Sequence, residues 1–166
     1  DAGATVNGYA SDITRTFTRD DSIFLNLLNG VDRLQQKLVT QCQPGTQYLE
    51  IHNSALRMTA ELLYDSGLCM LSPEEQLHKK IPQVFFPHGI GHLLGLQVHD
   101  VGGHQADRQG NSIAKPEHAP FLRLMRELKE NMVVTIEPGL YFIPMLLEKM
   151  TTDIPGHGCD RALIDE

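Results

Sequence analysis

Apolar residues recur at helical spacing in two long segments of the chain. The first covers residues 20–41 and is ended by Pro44-Gly45, and the second covers residues 48–65 and is ended by Gly67. Apolar positions three and four apart fall on one face of a helix, and proline and glycine stop helices. The pattern therefore predicts two amphipathic helices in succession.

Strand patterns flank this helical region. The opening DAGATVNGYASDITRTF predicts a β-hairpin, because Asn7-Gly8 is the favoured pair for a two-residue type I′ turn. VVTIE at residues 133–137 predicts a strand that the following proline and glycine close, and LYFI continues the chain beyond them. SPEE at residues 72–75 has the cap, proline and acids of a short helix start, and DRALIDE resembles the first turns of another helix. Strands, then helices, then strands again predict an α+β fold.

The predicted hairpin turn decides which side chains share a face. Paired residue numbers sum to fifteen, so Gly3 faces Asp12, and Asp1 becomes a diagonal neighbour of Asp12 about 7 Å away at Cα. Gly3 has no side chain and leaves space between the two acids. A divalent cation there would turn their repulsion into attraction, whereas a solvent-exposed face would leave them as ordinary surface acids. The opposite face is predicted to be core: Val6, Tyr9, Ile13 and Phe17.

Metal-binding side chains also occur in two apolar segments. Glu137 ends VVTIE, and burying an unpaired carboxylate is so costly that it needs a cation or a shifted pKa, unless it lies at an exposed strand end. PHGIGHLLGLQVHDVGG carries His88, His92 and His99 among glycines, and His88 and His92 share a face in a helix or in an extended segment. Oxygen-rich sites with one or two nitrogens suit Mn²⁺, Co²⁺ or Zn²⁺, and a pair of such ions can activate water.

Composition excludes several classes of protein. The chain has 166 residues, 41% hydrophobic and 21% charged, which fits one globular domain. A net charge of -7 argues against nucleic-acid binding, and no apolar run approaches the length of a membrane span. The three scattered cysteines, Cys42, Cys69 and Cys159, predict free thiols in a reducing compartment and hence a cytoplasmic protein.

Three segments carry a family resemblance. DAGATVNGYASDITRTF, HGIGHLLGLQVHDVGG and TIEPGLYF, in this order, resemble the catalytic domain of the M24 pita-bread metallopeptidases, and more narrowly the Xaa-Pro dipeptidases (prolidases) and their organophosphorus acid anhydrolase relatives. The resemblance runs from the first residue through DRALIDE. It implies a curved antiparallel sheet with helices packed on its outer face. It also implies that residues 1–166 are a partial catalytic domain, without the N-terminal domain, the start of the pita-bread domain and its last strands.

The resemblance assigns roles to individual residues. Two divalent ions, with Mn²⁺ expected and Co²⁺ or Zn²⁺ as alternatives, would be bound by four ligands: Asp1, Asp12, His92 and Glu137. A fifth ligand, a glutamate in a motif like GIRIED, would follow Glu166. His88 and His99 would contact the substrate or the reaction intermediate, and Glu137 would also shuttle a proton. Arg123 in PFLRLMREL would bind the carboxylate of the substrate, the alternative being a solvated charge on a short helix.

The activity that the resemblance implies is hydrolysis of Xaa-Pro dipeptides, which have a C-terminal proline, by hydroxide activated at two metal ions. The same hydroxide would attack organophosphates as a side activity. The partner would be a small peptide, and the intact protein would be a homodimer. The missing fifth ligand leaves open whether residues 1–166 act alone. Two alternatives remain: an aminopeptidase P-like Xaa-Pro aminopeptidase, and a non-catalytic pita-bread binding module.

Overall fold

The computed structural model describes residues 2–19 and 23–165, which form a short hairpin and a set of helices. The hairpin consists of β1 (Thr5–Val6) and β2 (Tyr9–Ala10). The helices are α1 (Ile23–Gln41), α2 (Tyr48–Asp65), α3 (Pro73–His78), α4 (Pro82–Phe85), α5 (Pro144–Asp153) and α6 (Arg161–Asp165). None of these helices has the combination of length and apolar character that crossing a membrane requires.

The two long helices agree with the predicted periodicity. Buried residues of α1 and α2 pack together in a core cluster that includes Leu38, Ile51 and Ala55, none of which is exposed to solvent. Gly30 lies inside α1 where a Cβ would press against the side chain of Leu62 on α2 and make it shift. A residue of poor helix propensity at this position therefore accompanies close contact between the two helices.

The start of α3 confirms the predicted capping signal. The Ser72 hydroxyl accepts a hydrogen bond from the backbone N–H of Glu75 (3.3 Å), and the Ser72 N–H donates to the Glu75 carboxylate (3.0 Å). This reciprocal capping box satisfies two N–H groups that have no partner within the helix and is typically worth about 1 kcal/mol.

The hairpin has the predicted register. Thr5 pairs with Ala10, Val6 pairs with Tyr9, and a further bridge joins Ala2 to Ile13. Asn7 and Gly8 both have positive φ angles, 51° and 85°, as a type I′ turn requires. The local turn signal therefore fixed the side of the hairpin on which Asp12 lies.

The prediction that the other face of the hairpin is core was wrong for the described chain. The four residues concerned are largely exposed: Val6 (68%), Tyr9 (63%), Ile13 (52%) and Phe17 (85%). The reason is tertiary. In residues 2–19 and 23–165 no element covers this face, and the hairpin instead joins the molecule through its edge, where the Ala10 N–H donates to the Gly95 carbonyl (2.8 Å).

The segment at residues 133–137 is extended, as predicted, but within the described part of the chain it forms a single bridge, between Leu93 and Val134. Backbone hydrogen bonds join it antiparallel to residues 90–94: Leu94 N–H to Val133 O (3.0 Å), Thr135 N–H to His92 O (3.0 Å) and Glu137 N–H to Ile90 O (2.8 Å). The histidine-rich segment and the segment ending in Glu137 are therefore neighbours in space. The chain then enters α5, which the sequence analysis did not predict, since its burial rests on only two positions, Leu147 and Met150.

Two core clusters hold these segments in place. One contains residues of α1 and α2 together with Phe86, Ile90 and Leu122, and the other contains the end of α2 with α4 and α5. Ile90 lies between His88 and His92 and is completely buried. The histidine-rich segment is therefore anchored in the core rather than forming a surface loop, which explains its apolar composition.

A buried histidine in α2 predicts a loss of stability in acid. His52 is 3% exposed, and burial, with smaller effects from His118 and His88, lowers its pKa from 6.5 to about 4. Below pH 6.5 the unfolded chain takes up a proton on this histidine, whereas the folded protein takes it up only near pH 4. Protonation therefore favours the unfolded chain, and the free energy of unfolding, which is unaffected by this residue above pH 6.5, falls as the pH is lowered to 4. We expect a loss of about 3 kcal/mol from this residue over that interval.

Urea unfolding of the metal-free protein between pH 7 and pH 4 measures this loss. His52→Gln, which cannot titrate, serves as the reference, since all other groups contribute equally to both proteins. The free energy of unfolding of the variant should fall less steeply with pH than that of the wild type. Parallel curves for the two proteins would show that His52 does not remain neutral in the folded state.

Candidate metal centre and adjoining pocket

Three side chains from separate segments converge in the structure. Asp12 follows the hairpin, His92 lies in the histidine-rich segment, and Glu137 ends the extended segment paired with it. One ligand atom from each lies within 4.8 Å of the others. The Nε2 atom of His92 is 3.4 Å from Asp12 Oδ2 and 2.9 Å from Glu137 Oε1. The cluster therefore offers one nitrogen and two carboxylates to a common point.

Hydrogen bonds from the core fix the position of His92. Its backbone N–H donates to the Thr135 hydroxyl (3.0 Å), and the Thr135 N–H donates to the His92 carbonyl (3.0 Å). The Thr135 carbonyl in turn accepts from the hydroxyl of Tyr48 (2.6 Å), a residue of α2 with no exposed surface. The pairing that sets His92 against Glu137 is thus tied directly to the helical core.

The tautomer of His92 is set by its own backbone. The Nδ1–H group donates to the carbonyl of Leu93 (2.8 Å), so in the neutral ring Nε2 carries a lone pair directed at the two carboxylates. His92 Nε2 and Glu137 Oε1 are both buried, and among residues 2–19 and 23–165 neither atom has a hydrogen-bond partner outside this cluster. With a neutral ring, three electron-rich groups face one another, an arrangement that either a proton on Nε2 or a bound cation stabilises, and this set of donors fits a divalent metal ion.

The ionisation of the cluster supports the same conclusion. Burial alone would lower the pKa of His92, but the hydrogen bond and charge of Glu137, with the Leu93 carbonyl and Asp12, outweigh it and raise the pKa. Burial alone would raise the pKa of Glu137, but hydrogen bonds from His92 and Thr135 outweigh it and lower the pKa. A positive charge is therefore stabilised at this point of the molecule. The fourth predicted ligand, Asp1, lies outside the described residues.

A pocket of about 320 Å³ adjoins the cluster. The pocket is lined by candidate residues from three segments of the chain and by one tyrosine: His88, His92, His99, Arg123, Glu137 and Tyr141. The three residues assigned to the substrate, His88, His99 and Arg123, thus share one cavity with two of the assigned metal ligands.

Arg123 reaches the pocket from an extended segment rather than from a helix. Leu122 and Leu124 are buried on either side of it, while Arg123 itself is exposed, which is the alternation of an extended chain. Close contact between backbones holds the segment, since a Cβ at Gly103 would collide with the Arg123 carbonyl. The short helix expected in the alternative is therefore wrong, because the apolar positions alternate, whereas the exposure of Arg123 agrees with a solvated charge.

The two outer histidines have different surroundings. The His99 ring lies against the His92 ring with a centroid distance of 4.4 Å. Burial, then the nearby charges of His92 and Arg123, lower the pKa of His99, which favours its neutral form. His88 has both ring nitrogens engaged: Nδ1–H donates to the Gly89 carbonyl (2.8 Å), and Nε2 accepts from the hydroxyl of Tyr141 (3.0 Å).

Tyr141 is a site residue that the sequence analysis did not identify. Its ring packs edge-on against His88 with a centroid distance of 5.2 Å, and its backbone N–H donates to the Phe85 carbonyl (2.8 Å). Burial, followed by the charge of Glu137, raises the pKa of its phenol, which therefore remains a donor. The available signal was its place in TIEPGLYF, close after Glu137 in the chain.

Comparison with known proteins gives a consistent set of matches. The sequence model of metallopeptidase family M24 matches residues 1–160. An Xaa-Pro dipeptidase of Shewanella loihica is 45% identical over 166 residues, covering 100% of this chain and 38% of the relative. An Xaa-Pro dipeptidase of Stenotrophomonas maltophilia is 47% identical over 159 residues, covering 95% of this chain and 35% of the relative. The chain thus spans little more than a third of the length of these curated relatives.

Solved structures extend the comparison to the fold. The zinc-substituted aminopeptidase P of Escherichia coli, in complex with product, matches with a TM-score of 0.67 and 32% identity over 82% of this chain and 28% of that protein. Together with the family match, this likeness confirms the predicted α+β pita-bread fold, of which the described residues contain a small antiparallel sheet and helices.

Proposed function

The chain belongs to metallopeptidase family M24, and we propose on this basis that the protein carrying it hydrolyses Xaa-Pro dipeptides at the bond before the C-terminal proline. The relatives at 45% and 47% identity are Xaa-Pro dipeptidases. The single observation that carries the proposal is the convergence of Asp12, His92 and Glu137 beside a pocket that contains His99 and Arg123. This arrangement joins a cation site to groups that can bind a small peptide.

The family is metal-dependent, and the geometry of the cluster supports three residues of this chain as the ones that would hold a divalent ion. Asp12, His92 and Glu137 present the buried nitrogen and the carboxylates already described. We propose that Asp1 and a glutamate following Glu166 complete a site for two ions, with Mn²⁺ preferred over Co²⁺ and Zn²⁺. Divalent ions so bound would supply Lewis acidity and would lower the pKa of water towards neutral.

The substrate would be oriented by charge. The exposed guanidinium of Arg123, on the pocket wall, can form a paired, charge-assisted hydrogen bond with the C-terminal carboxylate of a dipeptide. An Xaa-Pro bond has no N–H, so a site for it needs no acceptor facing the scissile nitrogen. Glu137, whose side chain is 38% exposed, is placed to carry a proton to the departing proline nitrogen.

The hydrogen bonds support His99 over His88 as the donor to the developing oxyanion. His88 already uses both nitrogens, on the Gly89 carbonyl and the Tyr141 hydroxyl. His99 lies beside His92 and faces the pocket, and its neutral ring has one N–H to donate. In this scheme His99 stabilises charge, while His88 and Tyr141 shape the wall against which the substrate packs.

The proposal is tested with the purified protein, Mn²⁺ and the dipeptide Leu-Pro, with proline release as the readout. We expect turnover that EDTA abolishes and that Mn²⁺ restores. The tripeptide Leu-Pro-Gly separates the alternatives, since an aminopeptidase P-like enzyme would release leucine from it and a dipeptidase would not. Folded, metal-loaded protein that cleaves neither peptide would indicate a binding module. Organophosphate esters, with release of the leaving group as the readout, test the proposed side activity.

Replacing Tyr141 by phenylalanine is expected to lower kcat for Leu-Pro about 10-fold, with a smaller change in KM. The ring packing remains, but the His88 ring loses the hydroxyl that orients it. Tyr64→Phe is the matched control. The two tyrosines are similarly exposed, Tyr64 at 49% and Tyr141 at 41%, but Tyr64 lies on α2 and does not line the pocket. Equal kcat values for the two variants would show that His88 is held without this hydrogen bond.

We further propose a cytoplasmic homodimer. The three cysteines are free thiols, which agrees with a reducing compartment. The homodimer rests on the family resemblance. Size-exclusion chromatography with light scattering measures the oligomeric state directly.

A further inference from the structure

Two buried cysteines from distant parts of the chain face each other. Cys69 follows α2, and Cys159 precedes α6, and an isolated antiparallel bridge pairs the two residues. Cys69 is 0% exposed and Cys159 is 8% exposed. Both belong to the core cluster formed by α4, α5 and the end of α2. Asp12, His92 and Glu137 are not part of this cluster.

The backbone hydrogen bonds show which type of antiparallel pair this is. The Met70 N–H donates to the Gly158 carbonyl (2.8 Å), and the Asp160 N–H donates to the Leu68 carbonyl (3.0 Å). These bonds flank the cysteines on either side, so the cysteines form a non-hydrogen-bonded pair. In such pairs the Cα atoms lie about 4.5 Å apart and the side chains are closest, which falls within the range that disulfides span.

The two sulfur atoms also share their surroundings. Both approach the carbonyl oxygen of His157, at 3.4 Å from Cys69 Sγ and 3.6 Å from Cys159 Sγ. The neighbouring thiol of Cys159 lowers the pKa of the Cys69 thiol. The Sδ atom of Met150 lies 3.7 Å from Cys159 Sγ. Two thiols from distant parts of the chain therefore converge on the same carbonyl oxygen.

We propose that Cys69 and Cys159 are a site of reversible oxidation, at which hydrogen peroxide converts the two thiols into a disulfide. The low exposure of both sulfurs favours an oxidant as small as peroxide. Cys69, as the thiolate, attacks one peroxide oxygen, forming a sulfenic acid and releasing hydroxide, which takes up the thiol proton to become water. The Cys159 sulfur then attacks the sulfenic sulfur and releases a second water. Two thiols are oxidised, one peroxide is reduced, and a small dithiol reverses the reaction.

The disulfide would tie the end of α2 to the segment before α6. It closes a long loop, so it restricts the unfolded chain strongly while requiring little movement in the folded one. We therefore expect the oxidised protein to melt about 5 °C higher than the reduced protein, with the difference removed by dithiothreitol.

The test treats the native, reduced protein with hydrogen peroxide and then blocks the remaining thiols. We expect a mass loss of about 2 Da before blocking, and a cross-linked peptide joining Cys69 to Cys159 in a non-reducing digest. Cys42→Ala is the matched control, because it removes the third cysteine and should leave the cross-link unchanged. Cys69→Ala and Cys159→Ala should each abolish it. The digest of the wild type decides the matter even if these two variants fail to fold.

Other products would overturn the proposal. A gain of oxygen without a cross-link would mean that the sulfurs cannot meet, and oxidised Met150 alone would mean that peroxide reaches the thioether and spares the thiols. A disulfide involving Cys42, or one between two molecules, would contradict the assigned pair. A cross-link that forms only after unfolding in urea would show that the native geometry does not support it.

Discussion

Replacement of His92 by alanine is expected to lower kcat/KM for Leu-Pro by about 10³-fold or more, and to abolish tight binding of Mn²⁺. His92 supplies the nitrogen of the described cluster, and its Nε2 atom lies within 3.4 Å of both neighbouring carboxylates, those of Asp12 and Glu137. Alanine removes that donor and leaves two like charges facing each other. Isothermal titration with Mn²⁺ and an assay of proline release measure the two effects separately.

The variant should fold, so a loss of metal binding can be attributed to the missing ligand. The backbone bonds of His92 to Thr135 do not involve the imidazole and remain available. His78→Ala is the control, because His78 is an exposed histidine in the last turn of α3. Thermal melting of all three proteins checks the fold. Mn²⁺ affinity or activity within about 10-fold of the wild type would remove His92 from the metal centre.

Local signals in the sequence were sufficient for the elements that local physics decides. The Asn7-Gly8 turn alone set the register of the hairpin, since two consecutive positive φ angles leave few other pairings. The capping box at Ser72 set the start of α3 in the same way. The bounds of α2 followed from apolar periodicity and the glycine after it.

Features that depend on distant contacts were not predicted. The apolar face of the hairpin was expected to be buried, but periodicity cannot say whether another element covers a face, and Phe17 is 85% exposed. Tyr141 enters the pocket because its backbone is tied to Phe85 of α4, a contact between residues far apart in the sequence. The roles of Asp12, His92 and Glu137 as ligands came from the family resemblance and stay a prediction, although the structure brings the three together.

Gly91 lies at a close approach between the segments that carry His92 and Glu137. A Cβ at this position would collide with the carbonyl oxygen of Thr135 and lie 2.5 Å from the hydroxyl of Tyr48. Neither atom can move freely, because Tyr48 is completely buried and its hydroxyl is bonded to that same carbonyl. The segment carrying His92 would have to separate from the one carrying Glu137, and hydrogen bonds between them would lengthen.

Gly91→Ala is therefore expected to lower the free energy of unfolding by about 3 kcal/mol and kcat/KM by about 10²-fold, since His92 and Glu137 would no longer face one point. Urea unfolding and proline release measure the two losses. Gly45→Ala is the control. Gly45 has a φ of 94°, and no described atom lies within 4 Å of an added Cβ, so the variant should lose only about 1 kcal/mol of unfolding free energy and keep its activity. Equal losses in the two variants would mean that the close approach at Gly91 does not hold the centre together. Partial recovery on adding Tyr48→Phe to Gly91→Ala would identify the tyrosine hydroxyl as part of the obstruction.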